Sequence, residues 1–300
     1  MKHKIIAVLS LVLIAWSANA QVDYKKPVDG KVYGKKKLLE NAPKKVLVEK
    51  FELYFKTSTW VAQGNAVDGV GIAGYLLISD SLAQAITNEA YAYFTSQLKS
   101  KGYEILIWDV EKAKSTKTYQ KEDKKGKAKV HEGELKNHVP KMASKGDSYK
   151  LVSANGPIRF SFGKNNPMAD YKFKTEMLNG EEVVKWDFHT GFGFLKTRKM
   201  ATSSMNQVFV EPDLICGNFL GVPALTYVNN KGKFANVLFN SHKLKYKSTE
   251  WIGNTEDQKE LYGKSVRYTP DPVKYKEACM GMLKVYIDQM LEAYETAKAG

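Results

Sequence analysis

Asp187 and His189 are the two side chains of this 300-residue chain that are best placed for acid–base chemistry. They stand two residues apart in a segment of alternating hydrophobicity, so on a β-strand both would face the same side. An aspartate can orient a histidine that acts as a general base in hydrolases. No serine or cysteine in a nucleophile-elbow pattern accompanies them. The sequence therefore favours a half-buried, hydrogen-bonded pair and keeps these residues as the first catalytic candidates.

A second group of polar side chains lies in a lysine-rich segment near the middle of the chain. His131 and His138 flank Glu132 and Glu134, and imidazole and carboxylate groups are common zinc ligands. Their spacing differs from the His-Glu-x-x-His pattern, and no cysteine pair accompanies them. We therefore expect solvated histidines and no metal site.

A glycine-rich stretch, Gly69–Gly74, matches the G-x-G-x-x-G pattern of dinucleotide-binding turns. In those turns the glycines follow a strand directly and lead into a helix, whose N-terminus holds the pyrophosphate. Here the preceding strand is predicted to end near Phe55 and the next helix to begin at Ser81. Asp109, the acid that could contact a ribose, comes too late in the chain. The sequence therefore predicts a glycine-rich loop and no cofactor.

Cys216 and Cys279 are the two cysteines. In an exported protein they could form a disulfide, which across so long a loop would contribute on the order of 4 kcal/mol in the chain-entropy model. Cys279 also falls on the apolar face of a predicted helix, where a free thiol packs as a small hydrophobic side chain. Both possibilities stay open.

Four aromatic residues crowd the segment Trp186–Phe194. Exposed aromatic rings on a strand can stack on sugars or on a partner chain. A core strand with a bulge at Gly191 and Gly193 explains the same residues, because glycine in a strand often marks a bulge. We favour the core strand.

The N-terminus has the pattern of a cleavable signal peptide. Lys2 and Lys4 precede the apolar run Ile5–Trp16, and Ala18 and Ala20 form a small-x-small cleavage site. The run is shorter than the roughly 20 apolar residues of a transmembrane helix. We therefore expect residues 1–20 to be removed and the chain to be exported to the periplasm or secreted, and no later segment is apolar enough to span a bilayer.

The positive charge of the chain, +14 in total, is concentrated in residues 25–50 and 112–150. Clustered cations can bind nucleic acid or another polyanion. Nearly all of them are lysines, whereas specific phosphate recognition favours the bidentate guanidinium of arginine. We therefore expect a solvated surface and no specific nucleic-acid partner.

The chain predicts a polar, irregular N-terminal arm, residues 21–44, followed by a single α+β domain, residues 45–300. That domain could divide into 45–110 and 150–300 around a lysine-rich loop, 111–149. The first part predicts a βαβ-like unit and the second antiparallel strands and hairpins with a C-terminal helix packed on the sheet.

Local patterns locate these elements. Val46–Phe55 predicts a strand whose alternation slips near Glu49-Lys50. Ser81 and Gln84 form a capping box for a helix, and Gly102 ends that helix before the strand Tyr103–Trp108.

The second part predicts two hairpins and a helix. Tyr171–Leu178 and Glu182–Phe188 flank Asn179-Gly180, which is typical of a type I′ turn. Leu225–Val228 and Phe234–Phe239 predict the second hairpin. Pro272 begins the C-terminal helix.

Residues 46–108 resemble the N-terminal α/β module of bacterial envelope proteins of the curli-secretion (CsgG-like) and TolB N-domain type. The matching stretches are Val46–Phe51, the helix from Ser81, and Gly102–Ile105. The chain departs from the curli-secretion lipoproteins because it has no cysteine at the cleavage site. The resemblance implies a non-enzymatic envelope module.

These observations favour an exported envelope or secreted protein that acts in binding or assembly, with another envelope protein or a glycan as its partner. The alternative is a secreted hydrolase with an unrecognised active site, for which Asp187 and His189 are the candidates. A cleft with converging polar side chains would favour the enzyme.

Overall fold

A computed structural model shows an α+β protein with one curled, mixed sheet. The structure describes residues 22–24, 26–62, 71–139, 146–163, 166–198, 207–215, 223–228, 233–239, 243–247, 254–260 and 263–299. The predicted signal peptide, residues 1–20, lies outside these ranges.

Six helices occur in the described residues: α1 (Lys37–Glu40), α2 (Asp80–Ser100), α3 (Val110–Ser115), α4 (Lys117–Asp123), α5 (Pro167–Leu178) and α6 (Pro272–Ala299). The strands of the first half are β1 (Val22–Tyr24), β2 (Gly30–Gly34), β3 (Lys45–Ala62), β4 (Gly71–Leu76), β5 (Glu104–Leu106), β6 (Ala128–His131), β7 (Leu135–His138), β8 (Ser148–Ser153) and β9 (Arg159–Phe162). Those of the second half are β10 (Val184–Phe192), β11 (Leu195–Arg198), β12 (Gln207–Val210), β13 (Asp213–Ile215), β14 (Ala224–Val228), β15 (Phe234–Phe239), β16 (Lys243–Tyr246), β17 (Asn254–Glu260) and β18 (Gly263–Thr269).

Two parallel strands, β3 and β10, form the centre of the main sheet. On one side of β3 lie β5 and then β8; on the other lie β10 and then β4. β10 continues the sheet through β13 and β14. The 18-residue strand β3 therefore pairs with four other strands.

One face of the sheet is covered by helices α2 and α6. The rings of Phe51 and Phe188, from β3 and β10, stack with centroids 4.3 Å apart. Phe94 of α2 meets Trp186 edge to face, and all four side chains are buried. Stacked and edge-to-face aromatic pairs stabilise beyond the area they bury. This face is the main core of the protein. The position of α6 confirms the prediction that a C-terminal helix packs on the sheet.

The predicted βαβ-like unit is confirmed as β3, α2 and β5, with β5 parallel to β3. Helix α2 is capped by Ser79, whose Oγ accepts a hydrogen bond from Leu82 N at 3.2 Å, two residues earlier than the predicted cap Ser81. Gly102 has the left-handed φ of +81° expected after the helix. The strand after it is shorter than predicted and partly exposed, because it pairs only with β3.

The hairpin predicted for 171–188 is wrong in its first half. Tyr171–Leu178 belongs to helix α5, while the second half is strand β10. Asn179 and Gly180 do have positive φ, +48° and +85°. Left-handed residues of this kind end helices as readily as they form type I′ turns. The Asn-Gly pair therefore marks the end of a helix here.

Helix α5 follows from signals that lie before the predicted strand. Asn166 is the N-cap, since its side chain accepts a hydrogen bond from Ala169 N at 3.2 Å, and Pro167 occupies the first turn. Ala169, Phe173 and Met177 recur every four residues and are buried. The helix therefore packs one apolar stripe against the second face of the sheet.

The predicted loop 111–149 contains regular structure in the described residues: α3, α4, β6 and β7. Few apolar residues suffice to anchor these short elements. Ala113 is buried in a second, smaller core with Trp108, and Tyr119 packs against that core. The expectation of an irregular loop is therefore wrong for the parts of 111–138 that these four elements occupy.

The N-terminal arm is also more regular than predicted. β1 pairs with β16 and β2 pairs with β15, both antiparallel. The predicted hairpin of β14 and β15 is confirmed. Strands β1 and β2 of the arm therefore extend the sheet by pairing with strands from the second half of the chain.

Candidate functional site

The second face of the sheet, away from α2 and α6, carries a charged cluster around the buried side chain of Glu49. We use this name for Glu49, Asp170, Lys174, Lys185 and Asp187. The carboxylate of Glu49 contacts Lys185 at 2.9 Å and Lys174 at 3.2 Å. Lys185 also contacts Asp187 at 3.0 Å, and Lys174 contacts Asp170 at 2.7 Å. Three acids and two bases thus form one ion-pair network.

A β-bulge in β3 delivers Glu49 to this cluster. Trp186 of β10 lies opposite Val48, but Asp187 lies opposite Lys50, so Glu49 is the extra residue. A bulge of this kind bends a strand and re-aims side chains. The slip in alternation seen in the sequence at Glu49-Lys50 is confirmed as this bulge.

Burial and pairing act against each other at Glu49. Burial opposes its ionisation, but Lys185 and Lys174 outweigh burial and lower its pKa. The second oxygen of Glu49 accepts a hydrogen bond from Trp108 Nε1 at 3.2 Å. Burial likewise opposes the charge of Lys185, and Glu49 and Asp187 raise its pKa. Glu49 and Lys185 are therefore both charged, and each is stabilised by the other.

Asp187 and His189 both lie on this second face, as their spacing predicts. The structure does not join them: both are described, and no hydrogen bond connects them. Lys185 holds one carboxylate oxygen of Asp187, and the other is buried without a hydrogen-bond partner among the described residues. Burial, together with nearby Lys50, lowers the pKa of His189 to about 4 against the opposing effect of Asp187. His189 is a neutral, half-buried side chain.

A cleft of about 420 Å³ opens between α5 and β10. We call it the α5 cleft. Four of its lining residues are apolar: Leu47, Leu178, Val183 and Val228. Asp170, Lys174 and Lys185 of the charged cluster form one side of it. Tyr171 also lines the cleft and is 54% exposed.

A second, more open groove of about 590 Å³ lies on the other side of the charged cluster. Lys50, Arg159, Ser161 and Asn166 line it together with the cluster. Lys50 and Arg159 make no ion pair within the described part of the chain. This groove therefore presents two cations that are open to a ligand.

A hydrogen-bonded chain of three side chains adjoins this groove, and we call it the Ser161 relay. His131 Nδ1 lies 2.6 Å from Glu134 Oε1, and His131 Nε2 lies 2.8 Å from Ser161 Oγ. Sequence reasoning named the histidine and the glutamate but missed the serine, which is 30 residues away in the chain. Only the pairing of β6 with β9 brings it close.

The other sequence candidates occupy ordinary structural positions. Gly71 and Gly74 lie in strand β4, where an added Cβ would come within 2.4 Å of the Trp60 ring and 2.3 Å of Val208 Cγ1. Gly69 lies outside the described residues. The glycine pattern thus serves close packing in its described part, and the expectation that it is all loop is wrong there.

The remaining candidates divide between confirmed and untested. Trp186 and Phe194 are fully buried, which confirms a core strand, although the bulge lies at Glu49 instead of the glycines. Cys279 is buried, while Cys216 lies outside the described residues, so the disulfide stays a prediction. Within the described ranges, no group of three or more acidic, histidine or cysteine side chains could hold a metal ion.

A scan against protein-family models, a search of curated proteins and a search of solved structures found no match. The resemblance of residues 46–108 to envelope modules therefore stays a prediction. Among the described helices, none is long and apolar enough to cross a membrane.

Proposed function

We propose that this protein is an exported binding protein of the cell envelope, and that its α5 cleft receives an apolar segment of another envelope protein. The observation that carries the proposal is the cleft itself. Its volume, about 420 Å³, is in the range typical of ligand sites. Leu47, Leu178, Val183 and Val228 provide apolar contacts, and Tyr171 is the exposed aromatic of the lining, a residue type enriched at protein interfaces.

The charges around the cleft favour apolar recognition over ionic recognition. The charged cluster is paired within itself. Glu181 pairs with Lys45 at 2.8 Å, and Glu182 accepts a hydrogen bond from Tyr227 Oη at 2.5 Å. A ligand would therefore gain most from burying apolar surface, at roughly 25 cal/mol per Å².

Site-specific photo-cross-linking in the native envelope tests this proposal. A photoreactive residue at Tyr171 should form a cross-link to one partner, and the same residue at Met168 should not. Both positions are exposed on α5, but only Tyr171 lines the cleft. Thr226→Trp, which fills the cleft, should abolish the product at Tyr171.

Three outcomes distinguish the partners. A product whose mass spectrum shows peptides of a second protein supports the proposal. A product that carries only sugar identifies a glycan, for which Tyr171 would be the stacking residue, and replaces the proposal. Equal cross-linking at Tyr171 and Met168, unchanged by Thr226→Trp, refutes a role for the cleft.

Export is the second half of the proposal and has its own test. The mature protein should begin at Gln21, because signal peptidase recognises Ala18 and Ala20 and cleaves after Ala20. N-terminal mass spectrometry of the extracytoplasmic fraction checks this. Recovery of that form with Met1 intact would contradict export by cleavage.

The alternative, a hydrolase that uses Asp187 and His189, gains no support from a contact between them. Lys185 holds the aspartate, and burial keeps the histidine neutral. It remains a prediction from the sequence.

A further inference from the structure

The Ser161 relay has the arrangement of an activated nucleophile. A serine is a weak nucleophile unless a base takes its proton and a third group orients that base. His131 lies within hydrogen-bonding distance of both Ser161 and Glu134, through its two different ring nitrogens. The three groups therefore occupy the order nucleophile, base and orienting acid.

The direction of the hydrogen bonds follows from the charge of Glu134. Hydrogen bonds from Lys136 and His131 lower its pKa to about 2, so the carboxylate is ionised at neutral pH. An ionised carboxylate only accepts hydrogen bonds, so His131 Nδ1 carries the proton. In the neutral imidazole Nε2 then holds a lone pair, and Ser161 Oγ–H donates to it.

The backbone holds the relay in place. In the β6–β9 ladder His131 is opposite Arg159, which puts Ser161 diagonally across from the histidine on the same face. Gly133, with a left-handed φ of +57°, turns the chain so that Glu134 returns to His131. Lys136 contacts the second oxygen of Glu134 at 2.6 Å. The carboxylate is thus fixed at both oxygens.

The groove beside Ser161 indicates the substrate. Lys50 and Arg159 line it without an acidic partner in the described part of the chain, and Arg159 is two residues from Ser161 on the same face of β9. Unpaired cations that line a groove attract an anionic substrate. We propose that Ser161 is the nucleophile of an esterase site for small carboxylic esters that carry a negative charge, a function beyond the proposed binding role.

The reaction balances with water as the only co-reactant. Ser161 Oγ bonds to the ester carbonyl carbon while its proton passes to His131 Nε2. The carbon–alkoxide bond then breaks, and His131 returns the proton to the departing alkoxide. Water attacks the acyl-serine and gives a proton to His131; the acyl–Oγ bond breaks, and Ser161 recovers its proton as the carboxylic acid leaves. Ser161 and His131 are the catalytic residues, and Glu134 is a positioning residue.

The test uses the mature chain, residues 21–300, with two substrates and one probe. The substrates are 4-nitrophenyl acetate and the mono-4-nitrophenyl ester of succinic acid; the probe is a fluorophosphonate. We expect a probe adduct on the peptide that contains Ser161, and faster hydrolysis of the charged ester. Ser161→Ala should remove the adduct and lower the rate at least 100-fold, whereas Ser96→Ala, at an exposed serine of α2, should change neither.

Three further variants separate the roles. His131→Gln should lower the rate 100-fold or more, because general-base catalysis typically contributes 10²–10⁴-fold. Glu134→Gln should lower kcat with KM unchanged, and Glu134→Asp should restore part of it. Arg159→Gln should slow hydrolysis of the charged ester more than that of 4-nitrophenyl acetate, so that the preference for the charged ester is lost.

Circular dichroism and thermal unfolding show whether each variant is folded. A folded wild-type protein that gives no adduct at Ser161 refutes the proposal. So does an adduct that forms equally well in folded His131→Gln, because the serine would then react without its base.

Discussion

The two faces of the central sheet are built from the same two strands, but different interactions hold them together. On the face beneath α2 and α6, β3 and β10 contribute buried aromatic rings packed against one another. On the opposite face other residues of the same strands form ion pairs and line two open clefts. The separate β6–β9 ladder carries the Ser161 relay beside one of these clefts. The helix-covered face supplies stability through area and packing density. On the other face, holding charged groups away from water costs part of that stability.

Removing Trp186 should give the largest loss of stability. The side chain is fully buried and packs against Phe94, Phe239 and Tyr294. Truncation of a buried tryptophan to alanine leaves a cavity and typically costs about 3–5 kcal/mol. Urea unfolding of Trp186→Ala should show this loss, and Trp186→Phe should lose clearly less. A cost below about 1 kcal/mol would mean that the core rearranges freely.

Glu49→Ala should give the second-largest loss of stability. This variant measures how much the folded protein depends on the ion pairs of the opposite face. It leaves the partly buried Lys174 and Lys185 with one acid fewer, although Asp170 and Asp187 still pair with them. Removing one partner of a buried ion pair costs about 3–5 kcal/mol, and the remaining partners reduce this to about 2–3. Glu52→Ala, three residues along the same strand and more exposed, is the control and should cost under about 0.5 kcal/mol. Equal effects of the two variants would show that Glu49 is dispensable.

His189 makes the charged face sensitive to acid. Its pKa is about 4 in the folded protein and 6.5 ordinarily, so between these values the unfolded chain binds a proton that the folded one does not. Stability should therefore fall as pH drops below 6.5, by about 2 kcal/mol at pH 4.5 for this group. His189→Gln should flatten that part of the pH profile of unfolding, measured from pH 7 to 4.5. A profile unchanged by the substitution would mean that the imidazole is protonated in the folded state.

Gly133→Ala should have the smallest effect on stability and a specific effect on the relay. Its left-handed backbone disfavours a side chain by about 1–2 kcal/mol, and its Cβ would lie 3.1 Å from Asn155 Oδ1. Gly126→Ala is a matched control, since Gly126 is also left-handed but nothing lies near its Cβ. Both variants should lose similar stability, and only Gly133→Ala should reduce labelling of Ser161. Equal labelling would show that the turn does not position Glu134.

Much of the helix-covered face could be predicted from the sequence, because it depends on local periodicity. The alternation of β10 and the apolar stripe of α6 each repeat over many residues. The bulge was also visible, since Val48 and Phe51 are three residues apart where regular alternation requires two.

The opposite face could be predicted far less well, because its elements are short and its contacts join distant segments. Asn179 and Gly180 suit a turn and a helix end equally, so α5 was missed. Helices α3 and α4 span 110–123 with few buried apolar side chains, below what a periodicity argument detects. The proximity of Ser161 to His131 arises only when β6 pairs with β9.

The bulge in β3 changes which residues of the strand face the core. Before it the even-numbered residues Val46 and Val48 enter the core, and after it the odd-numbered Phe51 and Leu53 do so. Deleting Glu49 would make β3 one regular strand with a single alternation, and every core residue would still face the helices. The core thus has no need of the extra residue. What the insertion supplies is one carboxylate on the far side, where it pairs with Lys174 and Lys185.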